Sequence, residues 1–191
     1  MDTSPDSIEL TGKLLIAMPG MGDPRFDRSV IFVCEHSDKG AMGLIVNKPI
    51  PDLPFSKLLE QLEIPVGPGA RQIRVHFGGP VENGRGFVLH SAGYPGSEGT
   101  LRVDAEFAMT ATLDVLEDIS AGTGPDEALL ALGYAGWGPG QLEGEIAQNG
   151  WLTCDASSAI VFAPDDATKW ELALKTMGIE ALTLSAAAGR A

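Results

Sequence analysis

The sequence is short of positive charge: 13 Lys and Arg stand against 26 Asp and Glu in 191 residues, a formal charge of −13 at neutral pH. Affinity for nucleic acid comes largely from basic side chains displacing counterions from phosphates, so non-specific DNA binding is disfavoured. Long hydrophobic runs are missing too. LLIAM (14–18) and VIFVC (30–34) are five residues each, far below the ~18 a membrane helix needs. The opening MDTSPDSIEL has no basic region followed by an apolar one, so no secretory signal is expected, and the protein is read as soluble and cytoplasmic. Cys34 and Cys154 are the two cysteines, and they lack the close spacing of a zinc ribbon or dithiol site. In the cytosol they read as reduced, partly buried thiols. No G-x-x-x-x-G-K-[ST], G-x-G-x-x-G, G-x-S-x-G or H-E-x-x-H occurs. No cofactor, no metal and no catalytic residue is assigned.

What is present fits one globular domain with a sizeable core, since 44% of the residues are hydrophobic. Residues 1–9 read as a mobile tail and 10–189 as a single domain. Charge is uneven: residues 1–103 carry 10 basic and 12 acidic side chains, and 104–191 carry 3 and 14, so the near-neutral first part can present a local basic patch.

LLIAM (14–18), SVIFVCEH (29–36) and AMGLIVNK (41–48) read as strands, the last two as a hairpin across SDKG. PFSKLLEQL (54–62) is helical, with Phe55, Leu58, Leu59 and Leu62 on one face. QIRVHFGG (72–79) and GRGFVLHSA (84–92) read as two strands around a turn at 80–83, and LRVD (101–104) as a short third. Asp104 is expected to cap a helix reaching about Ser120, with Met109, Leu113 and Leu116 on one face. ALLALGYAGW (128–137) is a strand in its middle part, QLEGEIAQN (141–149) a helix opened at Pro139 or Gly140, and WLTC (151–154) and AIVFA (159–163) the last strands. Asp165 caps a closing helix ending near Gly178. Strands in hairpins with helices inserted late give an α+β fold with a largely antiparallel or mixed sheet and about four helices.

The first loop, PGMGDPRFDR (19–28), mixes exposed backbone with Asp23, Arg25, Asp27 and Arg28. Two arginines beside glycines can hold an anion; the plainer reading is that the aspartates pair with them to hold the loop. Cys34 and His36, at i and i+2, share a strand face, yet stand nearly 7 Å apart, too far for proton transfer. A buried thiol beside a satisfied His is the simpler account. His36, His76 and His90 can converge from three strands as metal ligands, but their spacing matches no metal motif. Residues 136–140 before a helix offer unpaired N–H groups, but Glu143 and Glu145 would repel an anion there, so a turn that lets Trp137 pack is preferred. Gly78, Gly79 and Pro80 bring backbone close to a ligand or simply turn a strand end.

Taken in order, LTGKLLIAMPGMGDPRFDRSVIFVCEH (10–36), GAMGLIVNKP (40–49), HFGGPV (76–81), GFVLH (86–90), ALGYAGWGPGQLEGEI (131–146) and NGWL (149–152) resemble the YqgE/AlgH family of small bacterial proteins over nearly the whole chain. The resemblance implies one α+β domain with bent, coiled, partly barrel-like sheets; some members carry a transcriptional-regulator label. It brings no agreed catalytic residue or cofactor. Its matching positions make Asp23, Pro24, Arg25, Phe26, His36, Asn47, Lys48, Gly78, Gly79, Pro80 and Trp137 the candidate binding surface. Gly20, Gly22, Gly144 and Gly150 stand where bulkier residues are expected in many relatives. The expected function is a binding or regulatory protein acting through a protein partner or small ligand, without direct DNA contact. The alternative is an enzyme, a hydrolase or transferase, using His36 or Cys34.

Overall fold

Strands that are apolar on both faces must be covered on both, and that requirement organises this molecule. The computed structural model describes residues 9–19 and 23–180; the expected tail (apart from Glu9), Gly20 and Gly22 of the first loop, and the end of the expected domain lie outside them. β1 (Lys13–Ala17), β2 (Val30–Ser37) and β3 (Gly40–Ile45) form an antiparallel meander. Along β2, Ile31 and Val33 face one cluster, with Leu15 and Ala17, while Phe32 and Cys34 face another, with Leu14 and Ile16. α1 (Phe55–Gln61) leads to β4 (Val75–Phe77) and the long β5 (Val81–Ser91). β6 (Thr100–Arg102) and β7 (Phe107–Thr110) precede α2 (Asp114–Ser120). β8 (Ala128–Trp137), α3 (Gln141–Ala147), β9 (Trp151–Asp155), α4 (Ser158–Val161) and α5 (Lys169–Thr176) complete the described chain.

The nine strands run in the order β6-β7-β5-β8-β3-β2-β1-β9, antiparallel throughout, with β4 added parallel to β8. β8 is the hinge: residues 128–132 pair with β5, and 135–137 pair with β3. Between them Gly133 sits at φ +76, where a Cβ would lie 2.4 Å from the Gly79 carbonyl oxygen. A side chain is excluded there, and the strand bends. The sheet therefore curls into a half-barrel whose rims approach: a Cβ on Gly12, before β1, would meet the Asp104 carboxylate beyond β6. α4 and α5 seal the concave core through Ile160, Val161, Trp170 and Leu174. α3 covers the convex face of β1 to β3, and α1 and α2 cover that of β5 and β8.

Three expectations fail. The helix expected over 104–120 is a strand and a shorter helix: Phe107–Thr110 pairs with both β5 and β6, and Asp104 accepts from the Glu106 and Phe107 N–H groups in the turn before it. Tertiary pairing overrides the helical spacing of Met109, Leu113 and Leu116. The strand expected at 159–163 is α4, a short apolar run being equally able to form either element; the described residues hold five α-helices. The turn expected at 80–83 is instead the start of β5, kinked by a bulge between Val81 and Gly86.

Candidate functional site

Asp23 starts the site because it is a helix cap. Its carboxylate accepts from the Arg25 N–H at 3.0 Å, Pro24 follows with a φ suited to the first helical position, and a 3-10 helix forms over Pro24–Phe26. The same carboxylate takes the Arg25 guanidinium side-on, at 2.7 to 3.1 Å. That fork-to-fork pairing raises Arg25 and lowers Asp23 from their ordinary pKa values. Phe26 is thereby turned onto Trp151, edge to face at 5.9 Å.

Trp151 stands in turn against Trp137, at 6.1 Å and 80°. A single residue of α3 fixes both indoles: Glu145 Oε1 accepts from Trp137 Nε1 at 3.1 Å and Trp151 Nε1 at 3.0 Å, and its Oε2 accepts from Gln141 Nε2 at 3.1 Å. The two tryptophans are 8% and 2% exposed, so unpaired indole N–H groups there would be costly. Beside this wall opens a cleft of about 480 Å³, lined also by Arg25, Pro80, Val81 and Gln148.

The structure divides the sequence candidates. Asp23, Arg25, Phe26, Pro80 and Trp137 line the cleft, and Pro24 lies in the 3-10 turn that shapes it. Gly78 and Gly79 are packing positions: a Cβ would meet the Gly133 carbonyl oxygen at 2.3 Å and the Tyr134 carbonyl carbon at 2.0 Å. His36 serves elsewhere. Its Nδ1 accepts from the Leu10 N–H at 3.3 Å, so Nε2 carries the proton and donates to Glu143, whose pKa this bond lowers. A register shift between Val33 and Glu35 breaks the alternation of β2. Cys34 consequently lies in the concave core while His36 reaches α3 on the other side, so the shared face expected for them is absent. Burial pushes the Cys34 thiol far up, with Glu35 adding to the effect. The three histidines do not converge: His76 bonds Asp166 and the Leu130 carbonyl, and His90 bonds Thr110 and the Ser91 carbonyl.

Asn47 and Lys48 belong to a second recess. Asn47 Nδ2 donates to the Arg28 carbonyl at 2.8 Å and its Oδ1 accepts from the Val30 N–H at 2.9 Å, while Lys48 Nζ donates to the Asp27 carbonyl at 2.7 Å. Behind them is a charged cluster that the sequence did not reveal. Asp166, 6% exposed, accepts from His76 Nε2 at 3.0 Å, Lys169 Nζ at 2.7 Å and Arg74 at 2.6 Å. Burial works against both Asp166 and Lys169; the bonds from His76 and Lys169 outweigh it for Asp166, which is lowered, whereas Lys169 is itself lowered by burial. Partners 90 and more residues apart leave no local signal. Glu145 and Trp151 were also missed as cleft residues; with Trp137 they lie on three different elements, β8, α3 and β9, which no single period relates.

A family model described as AlgH-like matches residues 14–182. The chain belongs to the AlgH-like family. A UPF0301 protein of Ruegeria pomeroyi is 64% identical over 185 residues, covering 96% of this chain and 100% of its own. One from Cereibacter sphaeroides is 58% identical over 184 residues, with the same coverage. The solution structure of the AlgH protein from Pseudomonas aeruginosa is 43% identical and superposes with a TM-score of 0.77 over 97% of both chains. A Corynebacterium diphtheriae crystal structure, 22% identical with a TM-score of 0.73 over 94% of this chain and 91% of its own, shares the fold. This AlgH-like chain is thus an α+β half-barrel of the same kind, and no helix among its described residues is long and apolar enough to cross a membrane.

Proposed function

We propose that this protein is a binding protein that takes a small ligand in the cleft walled by Phe26, Trp137 and Trp151, and acts as a cytosolic regulator without touching DNA itself. The observation that carries this is Glu145 holding both indoles. Beyond the indoles its side chain accepts from Gln141 within the same helix, and it sets an aromatic wall before any ligand arrives, which is how rigid sites avoid the ordering cost of binding. The cleft volume falls within the range of about 300–1,000 Å³ usual for small-molecule sites. Arg25 and Gln148 supply polar groups at its edge. The reading of a binding protein over an enzyme rests on how the lining is engaged: its two carboxylates, Asp23 and Glu145, are held by Arg25 and by the two indoles, and Cys34 and His36 are committed elsewhere. The charge of −13 opposes DNA contact.

The three tryptophans provide the test. Trp170 donates to the Ala17 carbonyl in the concave core, away from the cleft lining, so its indole resonance is an internal control. Small molecules from a metabolite panel, titrated into labelled protein, are expected to move the indole signals of Trp137 and Trp151 and leave that of Trp170 in place, with the response lost in Phe26→Ala. A panel whose binders leave both cleft indoles unmoved, or bind Phe26→Ala equally well, refutes the assignment.

A further inference from the structure

The recess between the turn at residues 27–28 and α5 has no part in the cleft, and its charge is at odds with the rest of the chain. Four of the 13 Lys and Arg, namely Arg28, Lys48, Arg74 and Lys169, gather around one buried carboxylate, Asp166. His76, fully buried, packs against the same carboxylate, its Nε2 donating to Asp166 at 3.0 Å. Against the four cations stand Asp166, Asp27 and Glu171. The local excess is one positive charge, within a molecule of charge −13.

The front of the recess is built as carefully as the back. Arg28 lies at φ +54, a left-handed conformation that a residue with a Cβ rarely adopts. Strain of this kind persists only where the surroundings impose it, and here they do: Asn47 grips the Arg28 carbonyl and Lys48 the carbonyl before it. The outcome is a guanidinium laid over the Trp170 ring, 4.9 Å from its centroid. Stacking engages the face of a guanidinium and leaves its in-plane N–H groups for an acceptor. Lys48 spends one of three donors on the Asp27 carbonyl. The recess measures about 240 Å³, room for a tetrahedral oxyanion and a small organic part.

We propose that this recess binds a phosphoryl group, held by Arg28 and Lys48 in front of the positively charged Asp166 cluster. Two front cations on a dianion favour phosphate over a lone carboxylate, and a planar fork beside an ammonium is the usual protein provision for it. The source is free phosphate or a compact phosphomonoester.

The experiment is a titration of the labelled full chain with inorganic phosphate, glycerol phosphate and, at matched ionic strength, sodium chloride, following the Trp170 indole. Phosphate is expected to give a saturable shift that chloride does not, with the Trp137 and Trp151 indoles unmoved, which separates this site from the cleft. Arg28→Gln, at an exposed position, is expected to fold and to weaken binding by about tenfold or more, as the loss of a charge-assisted pair should; Arg28→Lys should fall between. Tighter binding of glycerol phosphate than of phosphate assigns a phosphomonoester, and equal binding assigns free phosphate. A response no different from that of chloride, or unchanged affinity in a folded Arg28→Gln protein, overturns the proposal.

Discussion

Replacing Glu145 by leucine or by glutamine separates two views of the aromatic cleft. Leucine removes every acceptor and strands the Trp137 and Trp151 N–H groups, which lie on residues 8% and 2% exposed. Each orphaned donor costs about 1–3 kcal/mol, and new apolar contact at this half-buried position returns roughly 1 kcal/mol. The net loss is then about 1–5 kcal/mol, or about 2–20 °C in Tm for a chain of this size. Glutamine keeps an oxygen able to accept from both indoles and loses only charge assistance, a loss of about 1–2 kcal/mol. Urea unfolding followed by far-UV circular dichroism measures both, and the indole resonances report whether the rings stay together. A leucine variant within about 1 kcal/mol of wild type, or a glutamine variant as damaged as the leucine one, would refute the idea that this carboxylate organises the wall.

The Asp166 cluster makes a different prediction. Asp166→Asn leaves buried cations unmatched and is expected to cost about 3–5 kcal/mol, while Asp166→Asn combined with Lys169→Met should cost less than the two single losses together, a coupling that a double-mutant cycle in urea measures. Because the folded Asp166 lies below its unfolded value of 3.8, its contribution is complete above that value and is lost as pH falls through the folded one; an acid titration of stability should show this component in wild type and not in Asp166→Asn. Gly79→Ala should prevent folding or cost more than about 4 kcal/mol, since its Cβ would sit 2.0 Å from the Tyr134 carbonyl carbon. Gly84→Ala, with nothing within 4 Å, should be neutral, and comparing soluble yield and Tm of the two distinguishes a close backbone approach from a general intolerance of side chains.

Much of the fold was legible because the apolar runs are bounded by breakers. ALLALGYAGW follows the breaker at residues 122–125 and runs into the one at 136–140; a strand was expected in its middle part, and β8 extends that strand over Ala128–Trp137. The closing helix was legible from its end at Gly178, φ +74; Asp165, expected to cap it, instead caps the 3-10 turn Asp166–Thr168 that leads into it, accepting from the Ala167 N–H at 3.0 Å. What failed depended on partners far away in sequence. Phe107–Thr110 is a strand because two neighbours need it, and Ser158–Val161 is a helix because the concave core needs a cap. The bulge that moves His36 off the Cys34 face lies at Val33 and Glu35, a stretch with neither Gly nor Pro to announce it. Of the candidate site, the capped turn at Asp23, Pro24 and Arg25 could be read locally. The indoles on Glu145 could not, and Glu145, read as repelling an anion, is instead an acceptor for aromatic donors.

The uneven charge of the sequence finds its explanation in the same long-range pairings. Lys13 meets Asp155, His36 meets Glu143, and Arg74 and His76 meet Asp166. In each pair the nitrogen donor comes from the near-neutral first part and the carboxylate from the acidic second. The acidity of residues 104–191 is therefore partly complementary to the strands they close upon, and some of it is neutralised on folding. Exposed pairs of this kind add little stability, which holds for Lys13 with Asp155, both well exposed. The Asp166 cluster differs because it is buried and oversupplied with cations. Its donors are satisfied, Arg74 also by the Pro164 and Ala163 carbonyls and Lys169 by that of Val46, but one carboxylate stands against both cations, and that excess lies behind Arg28 and Lys48. An anion arriving there would complete a charge balance that the chain leaves open.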